Sequence, residues 1–338
     1  MKNSNANTPA IGLDVGTSRI VASAKHGDDF QFKSQLNAFV EVPWSKMTEA
    51  SLKRESVPFV VHGEATDKSI IVPGNESSRF ADLLQVETRR PMNRGVLNPA
   101  EPENAVMLKQ LVENLIAEDR RAKLPIFYSV PAAPLGAEEN LTYHDATINQ
   151  IIRELDCEPT PINEGLAVVF SELEDTNYSG IGISFGGGLV NVCLSYLAVP
   201  VVSFSVAKAG DYIDSSAATI TGELATRIRL AKEESFYING HFSDKLHQVL
   251  NVYYDEMIRS VVNGLKEAFS NARSMPKIGR PIPMVLSGGS AMPKGFRDRF
   301  EKLLKESDFP VSLSEIRMAT NPLNSTAKGA LVAALAEL

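Results

Sequence analysis

Apolar residues fall along this chain in two alternating rhythms. Leu108, Leu111, Val112, Leu115 and Ile116 keep the spacing of one helix face after Pro102, and Ile148, Ile151, Ile152 and Leu155 keep it again before a break from Cys157 to Pro161. A third stripe starts at Asn163 with Leu166, Val169, Phe170 and Leu173. A longer one takes Leu246, Val249, Leu250, Tyr253, Met257, Val261 and Leu265. Between these stand short apolar runs bounded by Gly and Pro, which predict strands. Alternation of the two kinds predicts an α/β fold, with sheets covered by helices.

One strand pattern occurs twice. LDVGTSRIVASA from Leu13 and ISFGGGLVNVCL from Ile183 each read as a strand, a tight turn of small residues and a second strand. Asp14 corresponds to Ser184 and Gly16 to Gly186 at one offset of 170 residues, and Leu13 with Ile183 and Ile20 with Val190 follow it. A single Gly-rich turn is ordinary hairpin chemistry. A matched pair predicts two similar halves, with Gly16, Thr17 and Ser18 of one and Gly186, Gly187 and Gly188 of the other closing around a phosphate chain.

The stretch from about Phe39 to Ser78 departs from the pattern, with Pro43, Trp44, Pro58, Pro73 and short β-like runs such as VPFVVHG; it predicts a small inserted subdomain. The block from about 219 to 271 predicts its helical counterpart. The expected partition is residues 1–150 with the closing segment 324–338 as one domain, and 151–323 as the other. HDATINQIIREL and LDCEPTPINEG read as the crossing between them, the final helix STAKGALVAALAEL has small residues suited to close packing, and a hinge is expected near these crossings.

Composition narrows the function. At 338 residues, 43% hydrophobic and 22% charged, the chain has the size of two domains and the make-up of a globular protein. A net charge of −7 with no basic block argues against nucleic acid as a partner. Cys157 and Cys193 form neither a disulfide framework nor a metal spacing and read as buried thiols. The opening MKNSNANTPA is polar, and no apolar run approaches the roughly 20 residues that span a bilayer, so a cytoplasmic location is expected.

Asp14, at the end of the first strand, would face the metal end of a phosphate chain; one carboxylate suffices to orient Mg²⁺ through its waters. An Asp before Gly is also a turn former. Arg19 reads either as a phosphate contact or as a solvated strand residue. In VLSGGSAMPKGF, Gly288, Gly289 and Ser290 make either a platform for a flat base or a plain strand-to-helix turn.

Together these pieces resemble the actin-like ATPase superfamily, and within it the bacterial actins of the MreB and MamK type. IGLDVGTS is similar to the first phosphate motif, ISFGGG to the second and VLSGGSAMPKG to the adenosine motif, in the expected order. RPMNRGVL at 90–97, KAGDYID at 208–214, AKEESF at 231–236 and NPLNSTAKGA before the last helix are similar to segments of the same proteins. The resemblance implies an actin-like ATPase fold, two similar domains with a nucleotide cleft between them, each carrying a smaller inserted subdomain. It implies ATP or ADP with Mg²⁺, a catalytic role for Glu164 in orienting the attacking water beside Asp14, and adenosine contacts at Lys232, Glu233 and Glu234. Spacing does not choose between the two glutamates. Taken alone, Glu164 is an acid at a helix N-terminus and 232–234 is a solvated helix face.

The chain departs from that family at three places. Ser184 stands where the second phosphate loop has Asp, Leu189 where a Thr is expected, and Gly165 where a Pro follows the catalytic Glu. Ser supplies no charge for Mg²⁺, so slow hydrolysis with binding retained is expected, and Gly165 implies a looser start to its helix. The resemblance implies a polymerising ATPase whose partner is itself, with cargo or adaptor proteins attached. The polar N-terminus and the charged loop AEDRRAK at 117–123 disfavour direct membrane binding and favour a cytoplasmic filament of the MamK kind. The alternatives are a catalysis-poor, non-filamentous scaffold and a small-molecule kinase of the same fold, for which no hydroxyl-activating base beyond Glu164 stands out.

Overall fold

The computed structural model describes residues 9–63, 67–101, 103–135, 141–238, 241–242, 244–271 and 280–338. The polar segment 1–8 and Pro102 lie outside the described residues. The chain opens with three antiparallel strands, β1 (Ile11–Val15), β2 (Arg19–His26) and β3 (Asp29–Leu36). A small layer follows: β4 (Phe39–Pro43), α1 (Lys46–Arg54), β5 (Val60–His62), β6 (Ser69–Pro73) and α2 (Asn75–Leu84). Its sheet, in the order β4, β6, β5, closes over its own apolar cluster of Val40, Val42, Leu52, Ile70 and Val72, to which α2 adds Ala81. This layer occupies the stretch set apart in the sequence at 39–78 and runs on through α2 to Leu84.

Next come a two-strand hairpin, β7 (Met92–Asn93) and β8 (Val96–Leu97), then α3 (Glu103–Ile116), β9 (Leu124–Val130), α4 (Leu141–Glu154), β10 (Cys157–Asn163) and α5 (Glu164–Glu172). The second half has β11 (Gly180–Phe185), β12 (Val190–Tyr196), β13 (Val199–Val206), α6 (Gly210–Thr221), α7 (Ala225–Ser235), α8 (Lys245–Asn271), β14 (Ile282–Ser287), α9 (Phe296–Lys305), β15 (Leu313–Met318) and α10 (Ser325–Glu337).

The repeat is a repeat of architecture. One sheet runs β10, β9, β1, β2, β3; the other runs β15, β14, β11, β12, β13, with matching parallel and antiparallel pairings. The offset of 170 residues carries Asp29–Leu36 onto Val199–Val206, so it persists through all three opening strands. Central β1 and β11 are covered on both faces, which is why each is an almost unbroken apolar run.

Two expectations need correction. A boundary at 150 cuts α4, and β10 beyond it pairs in parallel with β9, so the first layer extends to Asn163. The expected helical insertion over 219–271 also takes in too much. In α8, Leu250, Tyr254, Met257, Ile258, Val261 and Leu265 are fully buried in the core of the second sheet, the place α3 holds in the first half. α6 packs against α8 and α7 against α6, and both add residues (Ile213, Ala217 and Ile228) to the same core, while α8 itself lies against β13. Helical periodicity runs through all three, and only the sheet distinguishes them.

Where the halves cross, α5 and α10 pack backbone to backbone. A Cβ on Gly329 would sit 1.7 Å from the carbonyl oxygen of Ala167, so no side chain fits there. Asn163 caps α5 by accepting the Leu166 N–H at 3.1 Å. A Cβ on Gly165 would lie 2.6 Å from the Cys193 nitrogen of β12; the start of this helix is tightly packed, not loose.

Candidate functional site

A cleft of about 380 Å³ opens between the two halves. It gathers Asp14, Gly16, Thr17, Ser18, Glu164, Ser184, Gly186, Gly187, Gly188, Lys232, Glu233, Gly288, Gly289 and Ser290 from the candidates above, and Arg19 with them. Glu234 does not line it. On α7, Ile228 and Lys232 are buried, and of the two glutamates Glu233 is the one that borders the cleft.

Each phosphate-type loop is held by side chains from elsewhere. In the first, the Ser129 hydroxyl of β9 accepts the Val15 N–H at 3.0 Å, and the Asn37 amide donates to the Gly16 carbonyl at 2.9 Å. In the second, the Ser290 hydroxyl donates to the Gly186 carbonyl at 2.9 Å, and the Asp211 N–H at the start of α6 donates to the Gly187 carbonyl at 2.8 Å. The loops meet: a Cβ on Gly188 would lie 2.2 Å from the Gly95 nitrogen and 2.5 Å from the Thr17 hydroxyl. Arg94 and Gly95 both have positive φ, as a tight hairpin turn between β7 and β8 requires. Leu189, in place of the expected Thr, is buried against Gly95. His144 of α4 holds this hairpin by accepting the Leu97 N–H at 3.3 Å, and burial pushes its imidazole down to about 4, so it remains neutral. Beside the loops an Arg90–Asp211 ion pair of 2.7 Å joins the halves.

Two half-buried carboxyls face this meeting point. Asp14 accepts the Ser129 hydroxyl at 2.8 Å, and burial raises its pKa to about 6 against that bond. Glu164 accepts the Asn191 amide N–H at 2.9 Å; burial and the neighbouring Asp14 push it up to about 8, while hydrogen bonds from Asn191 and Ser184 oppose the rise. At the other end, Lys232 Nζ lies 2.8 and 2.9 Å from the two carboxylate oxygens of Asp214. Burial raises the Asp214 carboxyl, against the pull of Lys232. Tyr254 stacks on Phe236 at 4.9 Å, and both border the cleft with Arg229.

Sequence reasoning missed Ser129, Asn191, Asp211, Asp214, Arg229 and Tyr254. Asn191 did leave a trace, a polar residue in the apolar strand VNVCL; Ser129 left a fainter one in LPIFYSV. The others look like ordinary surface or core positions until the helices are folded onto the cleft.

The family model Volactin matches residues 10–334. This chain belongs to the volactin family. Its fold is actin-like. The chain is similar to the MamK double helical filament structure, at 15% identity and a TM-score of 0.72, over 97% of this chain and 98% of that one. It is similar also to MreB5 of Spiroplasma citri bound to ADP, at 13% identity and a TM-score of 0.61, over 95% and 94% of the two chains. A third likeness is to the ethanolamine utilization protein EutJ from Carboxydothermus hydrogenoformans, at 14% identity and a TM-score of 0.55, over 96% and 89%. At these identities the shared property is the fold. No curated protein matches the volactin-family sequence. Among the described residues no helix is long and apolar enough to cross a membrane, and no group of three or more His, Cys, Asp or Glu side chains is placed to hold a metal ion.

Proposed function

We propose that this volactin-family chain is a self-assembling actin-like ATPase: it takes up ATP with Mg²⁺ between its halves, hydrolyses it slowly and forms cytoplasmic filaments that position cargo or an organelle. The observation that carries this reading is the contact of the two loops at Gly188, with Asp14 and Glu164 half-buried side by side in the cleft. MamK and MreB5 were solved as a filament and with nucleotide respectively, which supports carrying both properties over.

The wall suits a nucleotide. Glycines let the backbone of both loops approach a ligand closely at the phosphate end. At the other end the Tyr254 hydroxyl and the Arg229 Nε are buried without a protein partner, and polar groups so enclosed are costly unless something pairs with them. Lys232, Glu233, Gly288, Gly289 and Ser290 would receive the adenosine. Asp14 would hold Mg²⁺ through water, and the ion when bound would neutralise phosphate charge. Glu164 would orient the attacking water and accept its proton.

The two layers, the first with α10 and the second up to it, would then close on the ligand about the α5–α10 crossing. Closed subunits would associate head to tail with copies of themselves, an arrangement that propagates as a filament. Cargo or adaptor proteins would be further partners; nucleic acid and bilayer would not.

Right-angle light scattering of the purified protein on adding Mg-ATP tests this. A rise that requires nucleotide is expected. No rise over a range of concentration and salt, with nucleotide bound, would favour the non-filamentous scaffold instead. Arg90→Ala supplies a second check on closure. Its pair with Asp211 is largely covered, at 21% and 34% exposure, and a contribution of about 1 kcal/mol corresponds to roughly fivefold faster release of a fluorescent ATP analogue in stopped flow. Unchanged release would mean the pair plays no part in retaining nucleotide.

A further inference from the structure

Ser184 and Asn191 face each other across the β11–β12 ladder, so their side chains leave the same face of the sheet, and both border the cleft. Asn191 is fully buried in β12. Its amide is pinned at both ends. The Oδ1 accepts the Ala132 N–H at 2.9 Å, which leaves the NH₂ group as the end turned to Glu164, and Nδ2 donates to Glu164 Oε2 at 2.9 Å. Turning the amide over would strand the buried Ala132 N–H and set oxygen against oxygen at Glu164. The Ser184 hydroxyl leaves the sheet beside Asn191, on the side of the same carboxylate, whose ionised form it favours. Beneath it the backbone is held by the Asn163 cap and by the close contact of Gly165 with β12.

We propose that Ser184 and Asn191 form a two-donor clamp that positions the Glu164 carboxylate, so that Ser184 is a working part of this site and not the trace of a lost acid. The inference rests on the reading that the cleft hydrolyses nucleotide. The first half gives the contrast: there the equivalent pair is Asp14 opposite Val21, an acid and an apolar residue, and Asp14 takes its hydrogen bond from Ser129 instead. An Asp at 184 would exchange a donor for an acceptor and set a third carboxylate beside Glu164 and Asp14.

The test is single-turnover phosphate release from Mg-ATP, with Mg-ATP affinity measured in parallel, for the full chain and for Ser184→Asp, Ser184→Thr and Asn191→Asp. Asn191→Asp keeps the shape and the acceptor for Ala132 but removes the donor. The clamp predicts that Ser184→Asp and Asn191→Asp each slow release by about tenfold or more, with affinity within about threefold of wild type, and that Ser184→Thr, which retains the hydroxyl, restores near-wild-type release. Faster release from Ser184→Asp overturns the proposal, because Ser184 would then mark a missing acid. Slowing matched by an equal loss of affinity overturns it too, since the pair would then serve binding. A wild-type chain that binds Mg-ATP and releases no phosphate overturns the hydrolytic reading itself; the wild-type trace alone separates that failure from the clamp's own.

Discussion

Glu164→Gln is expected to abolish most phosphate release while making the nucleotide-free chain more stable. Loss of a positioned acceptor for the water proton removes on the order of 10²–10⁴ in rate. The gain in stability follows from where this carboxyl sits. In the unfolded chain it ionises near 4.5, whereas in the folded chain burial and Asp14 hold its proton to about 8. Between those values the unfolded state binds fewer protons, so wild-type stability falls as pH rises through the window and levels off above it. Gln has no proton to lose, and its side-chain oxygen can still accept from Asn191. The variant should therefore melt like the wild type near pH 4 and pull ahead as pH rises, by on the order of 3 kcal/mol at pH 7. Thermal melts across this range, paired with a phosphate-release assay, check both halves of the expectation. Coincident melting at every pH would show that Glu164 is not enclosed beside Asp14.

Gly329→Ala should have the largest effect on folding. The added methyl group would stand 1.7 Å from the Ala167 carbonyl, and that oxygen belongs to the backbone of α5, which cannot swing aside as a side chain would. Either the two central helices separate or the crossing is lost, at a cost of about 3 kcal/mol or more. A large drop in the urea midpoint is the expected outcome. An unchanged midpoint would mean the helices tolerate a wider spacing than the one described. Since α5 begins at Glu164 and α10 packs beside β1, which carries Asp14, nucleotide binding should weaken in whatever fraction remains folded.

Much of this was readable from the chain because a repeated strand pattern leaves a fixed offset in the sequence. Asp14 with Ser184, and Gly16 with Gly186, disclosed the two loops, and the same offset extends through β3 and β13. The motif order then located Glu164, Lys232 and the Gly288–Ser290 turn. What remained hidden depends on contacts remote in sequence. Arg90 meets Asp211 across 121 positions and Ser129 meets Asp14 across 115, and no local pattern marks either partner. Asn191 was visible as an oddity, yet its purpose appears only when α5 brings Glu164 to it. The misplaced limit of the helical insertion has a different cause: α7 and α8 share the period of 3.6 residues, and burial on the sheet, which distinguishes them, is a property of the partner surface.

A twofold cradle around a molecule without a twofold cannot stay even-handed. At one pair of matching positions this chain has an acid with a valine, Asp14 and Val21, and at the other a hydroxyl with an amide, Ser184 and Asn191. The symmetry holds in the strands and fails at the few side chains that would feel which end of the guest is charged. Comparing the two arms of the repeat is thus a way to read the polarity of an occupant from its container.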